Sequence, residues 1–147
     1  MRFLLLSAAL ALISCGPKPE TIEDFSLRPL TLPGGQKIKV EMMADNIDLI
    51  RGLMFRTSLA PDRGMLFVYP KPDRHQHWMY QVLIPLDIIW MDSGHDIVEI
   101  VADAEPCKTQ ASKCPQYGGN QISSFVLEVA SGMAKKYGLQ VSQRIQW

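Results

Sequence analysis

The chain has 147 residues, 15 basic and 15 acidic side chains, a formal net charge of zero, and a hydrophobic content of 47%. Balanced charge leaves no electrostatic footprint for nucleic acid or for an anionic membrane surface. The length suits one domain with a real core.

Met1-Arg2 followed by the apolar run from Phe3 to Ile13 reads as a signal peptide. As a helix that run extends only ~16 Å, about half of a hydrocarbon layer, so it is too short to span a bilayer. Leu12-Ile13-Ser14-Cys15 resembles the lipobox at which bacterial prolipoproteins are acylated on cysteine and cut before it. The alternative is an ordinary signal peptide cleaved nearby, with Cys15 incidental. The expected organisation is a signal peptide over residues 1–14, a lipidated tether over 15–24 and one globular domain over 25–147. Several acyl chains on Cys15 would anchor the chain in the cell envelope on the periplasmic side. Gly16, rather than Asp, after the cysteine favours the outer membrane. Removing Arg2 with the leader leaves 14 basic against 15 acidic side chains, so the mature chain is still nearly neutral.

Within the domain, residues 26–32 and 37–42 alternate apolar with polar around Pro33-Gly34-Gly35-Gln36, which predicts a hairpin. Residues 44–54 predict a short helix capped by Asp45 or Asn46, with the apolar Ile47, Ile50 and Met54 at helical spacing. Met65 to Tyr69 reads as a buried strand stopped by Pro70 and Pro72. Strands follow at 76–80 and 86–91, a turn at Asp92-Ser93-Gly94-His95, and a strand at 97–102. Residues 124–129 predict another strand, Ser131 to Tyr137 a helix capped by Ser131 and ended by Gly138, and 143–147 a last strand. The fold class expected is α+β: a compact, mostly antiparallel, β-rich, barrel-like single domain with two short helices. No βαβ alternation suggests a parallel pair.

Cys107 and Cys114 lie in a loop-like segment with six residues between them. In an oxidising compartment such a pair is most simply a disulfide, contributing ~2–3 kcal/mol on the chain-entropy estimate. A redox-active pair usually has two intervening residues, and no histidine lies in this loop to complete a zinc site.

Arg51-Gly52-Leu53-Met54-Phe55-Arg56, Arg63-Gly64-Met65-Leu66-Phe67-Val68, Trp78-Met79 and Leu83-Ile84-Pro85-Leu86-Asp87-Ile88-Ile89 carry a resemblance. With Phe125-Val126-Leu127-Glu128-Val129, Ser131-Gly132 and Gly138-Leu139, they resemble the domain-of-unknown-function-192 family from about residue 36 to 147. The resemblance implies a β-rich α+β domain, often secreted, and little chemistry. Where the family usually has Trp-Met-Lys-Asn-Thr, this chain has Trp78-Met79-Tyr80-Gln81-Val82, which removes a cation.

Arg51, Arg56 and Arg63 are guanidinium forks flanked by apolar residues, suited to a carboxylate or an anionic ligand, with Asp87 the natural acidic partner. An arginine–aspartate pair holding strand to helix is the competing reading. On that reading Arg51→Ala should destabilise more than Arg63→Ala. His75 and His77, one residue apart, share a face of a strand and could share a metal. Met54, Met65, Met79 and Met91 extend this to a copper reading, although methionine at such positions is ordinarily core filler. Ser58, Ser93, Ser123 and Ser124 lack a nucleophile-elbow context, while Asp87 and Asp92 could serve acid–base work if they approach one another.

The leading expectation is a binding or accessory module for a small anionic or polar ligand, without a cofactor, metal or catalytic residues. Its site would be Arg51, Arg56, Arg63, Trp78 and Asp87. A hydrolase using the same cleft and a His/Met copper binder are the alternatives.

Overall fold

The computed structural model describes residues 27–147; the expected signal peptide, Cys15 and the whole of the expected tether lie outside the described residues. The chain runs β1 (Arg28–Thr31), β2 (Lys37–Met43), α1 (Asn46–Arg51), β3 (Arg63–Asp73), β4 (Gln76–Trp78), β5 (Leu86–Met91), β6 (Ile97–Ala104), β7 (Gln116–Gly118), β8 (Ser123–Ala130) and α2 (Met133–Lys136). Six strands form one sheet in the order β1-β2-β3-β8-β5-β6, and β4 pairs with β7 in a small second sheet.

The expected hairpin is β1–β2, closed by bonds from Leu32 N–H to Gln36 O and from Gly35 N–H to Leu32 O. The sheet departs from expectation next, because β2 and β3 are parallel. Antiparallel neighbours need only a tight turn, whereas parallel ones need a crossover, and α1 with its following loop supplies it. A small βαβ unit therefore exists where none was expected. Nor does the sheet close into a barrel. In place of a last strand, the C-terminal segment makes single bridges, Gln146 to Thr31 of β1 and Arg144 to Asp96 beside the β5–β6 turn.

Pro70 and Pro72 do not stop β3, which continues to Asp73. The β2 ladder ends at Phe67, and the β8 register shifts between Val68 and Asp73. Prolines there remove no ladder donor, which is why a strand can carry them.

Both faces of the large sheet are covered. One packs Leu30, Val40, Leu66, Leu127 and Ile145, and the other packs Met65, Phe67, Ile88, Trp90 and Val126. All six β5 residues are buried, Asp87 included, which explains the apolar run from Ile88 to Met91. The Trp90 indole donates to His75 O at 2.7 Å. A Cβ at Gly118 would collide with the same indole, and φ there is +68°, so glycine is required on two grounds.

Asp45 caps α1, as expected, accepting from Asp48 N–H at 3.2 Å. The helix stops at Arg51 because Gly52 turns it with φ +44°, so the 3.6-residue period does not extend to Met54. Leu49 and Leu53 pack inward instead, and Ile47 and Ile50 stay 77% and 66% exposed. At α2 the cap is not Ser131: Gly132 precedes the helix, and the Asp87 carboxylate accepts Ala134 N–H at 2.7 Å. Gly138 ends α2 as expected. Its N–H reaches Lys135 O and Leu139 N–H reaches Ala134 O, the paired bonds of a Schellman end. Cys107 and Cys114 form the expected disulfide.

Candidate functional site

Strands β3, β4 and β8 bring three polar side chains together inside the second core cluster. Glu128 is the one charged residue in the apolar run of β8, and its Oε1 lies 2.9 Å from His77 Nδ1. His77 Nε2 in turn lies 2.9 Å from the Tyr69 hydroxyl. An ionised carboxylate can only accept, so Nδ1–H donates to Glu128; the phenol O–H then donates to Nε2. His77 and Glu128 are both buried, and the edges of Phe67 and Trp90 pack about the imidazole. His75 stacks on the Tyr69 ring from the other side. His75 precedes β4 and does not lie on a strand, so the two histidines do not share a strand face as expected; they meet at Tyr69.

A cavity of about 30 Å³, roughly one water in size, lies over this relay. Arg51, Gly52, Met54, Trp78, Tyr80 and the relay residues His77 and Glu128 contribute to its wall. Arg51, Gly52 and Met54 also line an adjoining groove of about 400 Å³, together with Glu41, Asp48, Phe55 and Arg56. The end of α1 and the loop after it thus contribute to both the groove and the small cavity, which is as open to solvent as the groove and mostly apolar in its lining.

Of the expected site residues, Arg51 and Arg56 line the groove, while Arg51 and Trp78 line the small cavity. Arg63 and Asp87 contribute to neither. The acidic partner of Arg56 is Glu41, not Asp87: both guanidinium nitrogens engage the Glu41 carboxylate in a two-pronged pair. That hydrogen-bonded carboxylate raises the Arg56 pKa further. Asp87 is buried and filled by backbone donors, Asp103 N–H at 2.9 Å and Ala134 N–H at 2.7 Å. Met65, Met79 and Met91 are buried in the core. His95 stacks on Trp147, and its pKa is lowered first by burial and then by Arg144. Among the described residues, no three His, Cys, Asp or Glu side chains converge as a metal site requires.

Sequence reasoning missed Glu128 and the pairing of His77 with it. The available signal was an acidic residue inside Phe125-Val126-Leu127-Glu128-Val129, a position that should be apolar unless a partner waits there.

Burial argues for the opposite order of the arginine variants from the one expected. Arg51 is exposed at the end of α1, whereas Arg63 is half-buried at the head of β3 with its Nη1 out of reach of solvent. Arg63→Ala should cost about 1–2 kcal/mol through lost packing of its stem, and Arg51→Ala no more than about 0.5 kcal/mol. Thermal melts of the two variants check this.

The Tyr69 pKa is raised, first by burial and then by the Glu128 charge. The unfolded chain releases that proton near pH ~10 while the folded chain keeps it. The associated stability is therefore complete below pH ~10 and is lost as pH rises beyond it. Urea midpoints should fall more steeply between neutral and strongly alkaline pH in the parent than in Tyr69→Phe.

The fold and its cleft define a class: a β-rich α+β domain with a carboxylate–imidazole–phenol relay beside a small cavity that adjoins a larger groove. The chain belongs to the domain-of-unknown-function-192 family (DUF192, Uncharacterized ACR), whose profile matches residues 30–147. It is similar to a protein of unknown function from Novosphingobium aromaticivorans, with 26% identity, TM-score 0.76, and coverage of 96% of this chain and 99% of that one. It is also similar to a protein from Sinorhizobium meliloti described as a candidate transcription regulator, with 28% identity, TM-score 0.71, and coverage of 80% and 89%. No curated protein matches the chain.

Proposed function

We propose that the protein is a membrane-tethered extracytoplasmic lipoprotein whose domain binds a small polar ligand carrying at least one anionic group. The observation that carries the binding half is the groove of about 400 Å³. Arg51 stands on its wall, and among the described residues no hydrogen bond or ion pair holds its side chain. Its neighbour Arg56 is already neutralised by Glu41. A guanidinium at a solvent-open groove is a ready fork for carboxylate or phosphate, and Asp48 on the same wall suits a hydroxyl or amine of the ligand. The lipobox-like Leu12-Ile13-Ser14-Cys15 supports the tethered half.

Titration calorimetry with citrate and with inorganic phosphate tests the binding. Heat of binding should appear with at least one anion and be lost in Arg51→Ala, which keeps its fold. Absence of heat with both, or equal heats in the variant, would reject Arg51 as the ligand fork. Cell fractionation of Cys15→Ser tests the tether: the variant should lose the parent's lipid-dependent processing, and a variant that stays membrane-bound and is processed like the parent would reject the lipid anchor.

One observation favours hydrolysis as a second reading. Glu128, His77 and Tyr69 stand in the acid–imidazole–hydroxyl order of nucleophilic triads. Tyr69 itself lines neither the groove nor the cavity, so the binding reading stands first.

A further inference from the structure

We infer that the small cavity beside the relay receives a primary ammonium group that donates to Glu128, so that the ligand of the groove is a zwitterion with its carboxylate or phosphate on Arg51; this rests on the binding reading above. Glu128 is 4% exposed, and its Oε1 is taken by His77 Nδ1–H. Two residues beyond Val126 in β8, its side chain enters the same core cluster as Leu53, Phe67 and Val82, which with it line the cavity. Among the described residues no hydrogen bond or ion pair engages Oε2. Nor is Oε2 sealed in. Among those residues the polar side-chain atoms both occluded and unpartnered are Arg63 Nη1 and Ser123 Oγ, so Oε2 keeps surface open to the cavity. A carboxylate this far out of water with one donor is half satisfied and calls for a second partner. Arg51 contributes to the same cavity wall but makes no ion pair with it.

The size of the cavity and the chemistry of its walls select the group. It holds about 30 Å³, and a primary ammonium is close to one water in size, with N–H donors that match an acceptor-only carboxylate. Trp78 and Tyr80, their ring centroids 5.4 Å apart, add aromatic surface to the wall, which favours a cation over a neutral hydroxyl. The remaining wall is mostly apolar, and a charge-assisted hydrogen bond there is roughly twice as strong as a neutral one. The rest of the ligand lies in the groove of about 400 Å³, because Arg51, Gly52 and Met54 border both spaces. Arg51 at that shared border meets the anionic end, so one short molecule engages both charges. Asp48 on the groove wall is the competing acceptor. It is only half-buried, and water screens its attraction for an ammonium more strongly than that of Glu128.

The test titrates the full chain at neutral pH, by calorimetry, with two matched pairs: aminopropyl phosphate against propyl phosphate, and γ-aminobutyrate against butyrate. In at least one pair the amine should bind roughly tenfold tighter or more, the size of one hydrogen bond to a charged group. The pair that shows the preference says whether phosphate or carboxylate is the anionic end. In Glu128→Gln the amide oxygen still serves His77 while the NH₂ faces the ammonium, so the members of that pair should bind alike, with a thermal melt showing that the variant folds. In the parent, nuclear Overhauser effects should join the methylene beside the amine to ring protons of Trp78 or Tyr80, a readout that needs no variant. Equal binding within both pairs would overturn the ammonium site while leaving the Arg51 fork intact. A preference that survives Glu128→Gln but disappears in Asp48→Asn, or methylene contacts to Asp48 and to neither ring, would overturn it in favour of the groove wall. No heat with any of the four probes, with citrate or with inorganic phosphate rejects the Arg51 fork, and the ammonium site with it.

Discussion

Asp87→Ala should lower the stability of the domain by roughly 3–5 kcal/mol, because one carboxylate satisfies two backbone donors in different elements. Its Oδ1 accepts Asp103 N–H of β6, and its Oδ2 accepts Ala134 N–H in the first turn of α2. Each buried donor left without a partner costs ~1–3 kcal/mol, and the C-terminal helix also loses its cap. For a domain of this size the melting temperature should drop by roughly 10–20 °C. Asp87→Asn separates the two bonds. Its amide oxygen still accepts one N–H, but its NH₂ turns a donor toward the other, so about half the loss should remain. Thermal melts of both variants check the ordering. A change under ~1 kcal/mol in Asp87→Ala would mean that water replaces the carboxylate.

His77→Ala should be of similar size, roughly 3–5 kcal/mol, by a different route. The variant leaves the buried Glu128 carboxylate and the Tyr69 hydroxyl without their shared partner, and it opens a void between Phe67 and Trp90. Removing one member of a buried pair and creating a cavity are both among the most expensive changes a core can suffer. Glu128→Gln should cost much less, because the amide oxygen still accepts from Nδ1. A denaturant series on His77→Ala, Glu128→Gln and Glu128→Ala checks the scheme. Equal losses in the two Glu128 variants would show that the charge matters more than the hydrogen bond.

Both variants lie where sequence and structure part. The order of elements was legible from local signals: the Gly34-Gly35 turn, the Asp45 cap, the apolar run of β5, the Gly138 stop and the paired cysteines all act within a few residues. The likeness of the blocks around Arg51, Arg63, Trp78 and Phe125 to one family was equally legible, since a family pattern is a property of the sequence. Arg51, Arg56 and Trp78 were chosen for their chemistry, as guanidinium forks and an aromatic, and the structure places all three at cavity walls.

What only the tertiary structure decided is which side chain meets which. Glu41 and Asp87 are both acidic residues at strand positions, and nothing local says that Glu41 receives Arg56 while Asp87 caps α2, forty-seven residues further on. Ile47 and Ile50 have helical spacing, yet the face they occupy is set by the point where Gly52 ends the helix and by how the loop crosses from β2 to β3. His77 and Glu128 meet across strands far apart in sequence, because β8 inserts between β3 and β5 in the sheet. Periodicity reports that a residue has a buried side, since burial follows from the geometry of its own element. Partner choice follows from strand order and register, which depend on contacts between distant segments, and there the sequence alone was silent.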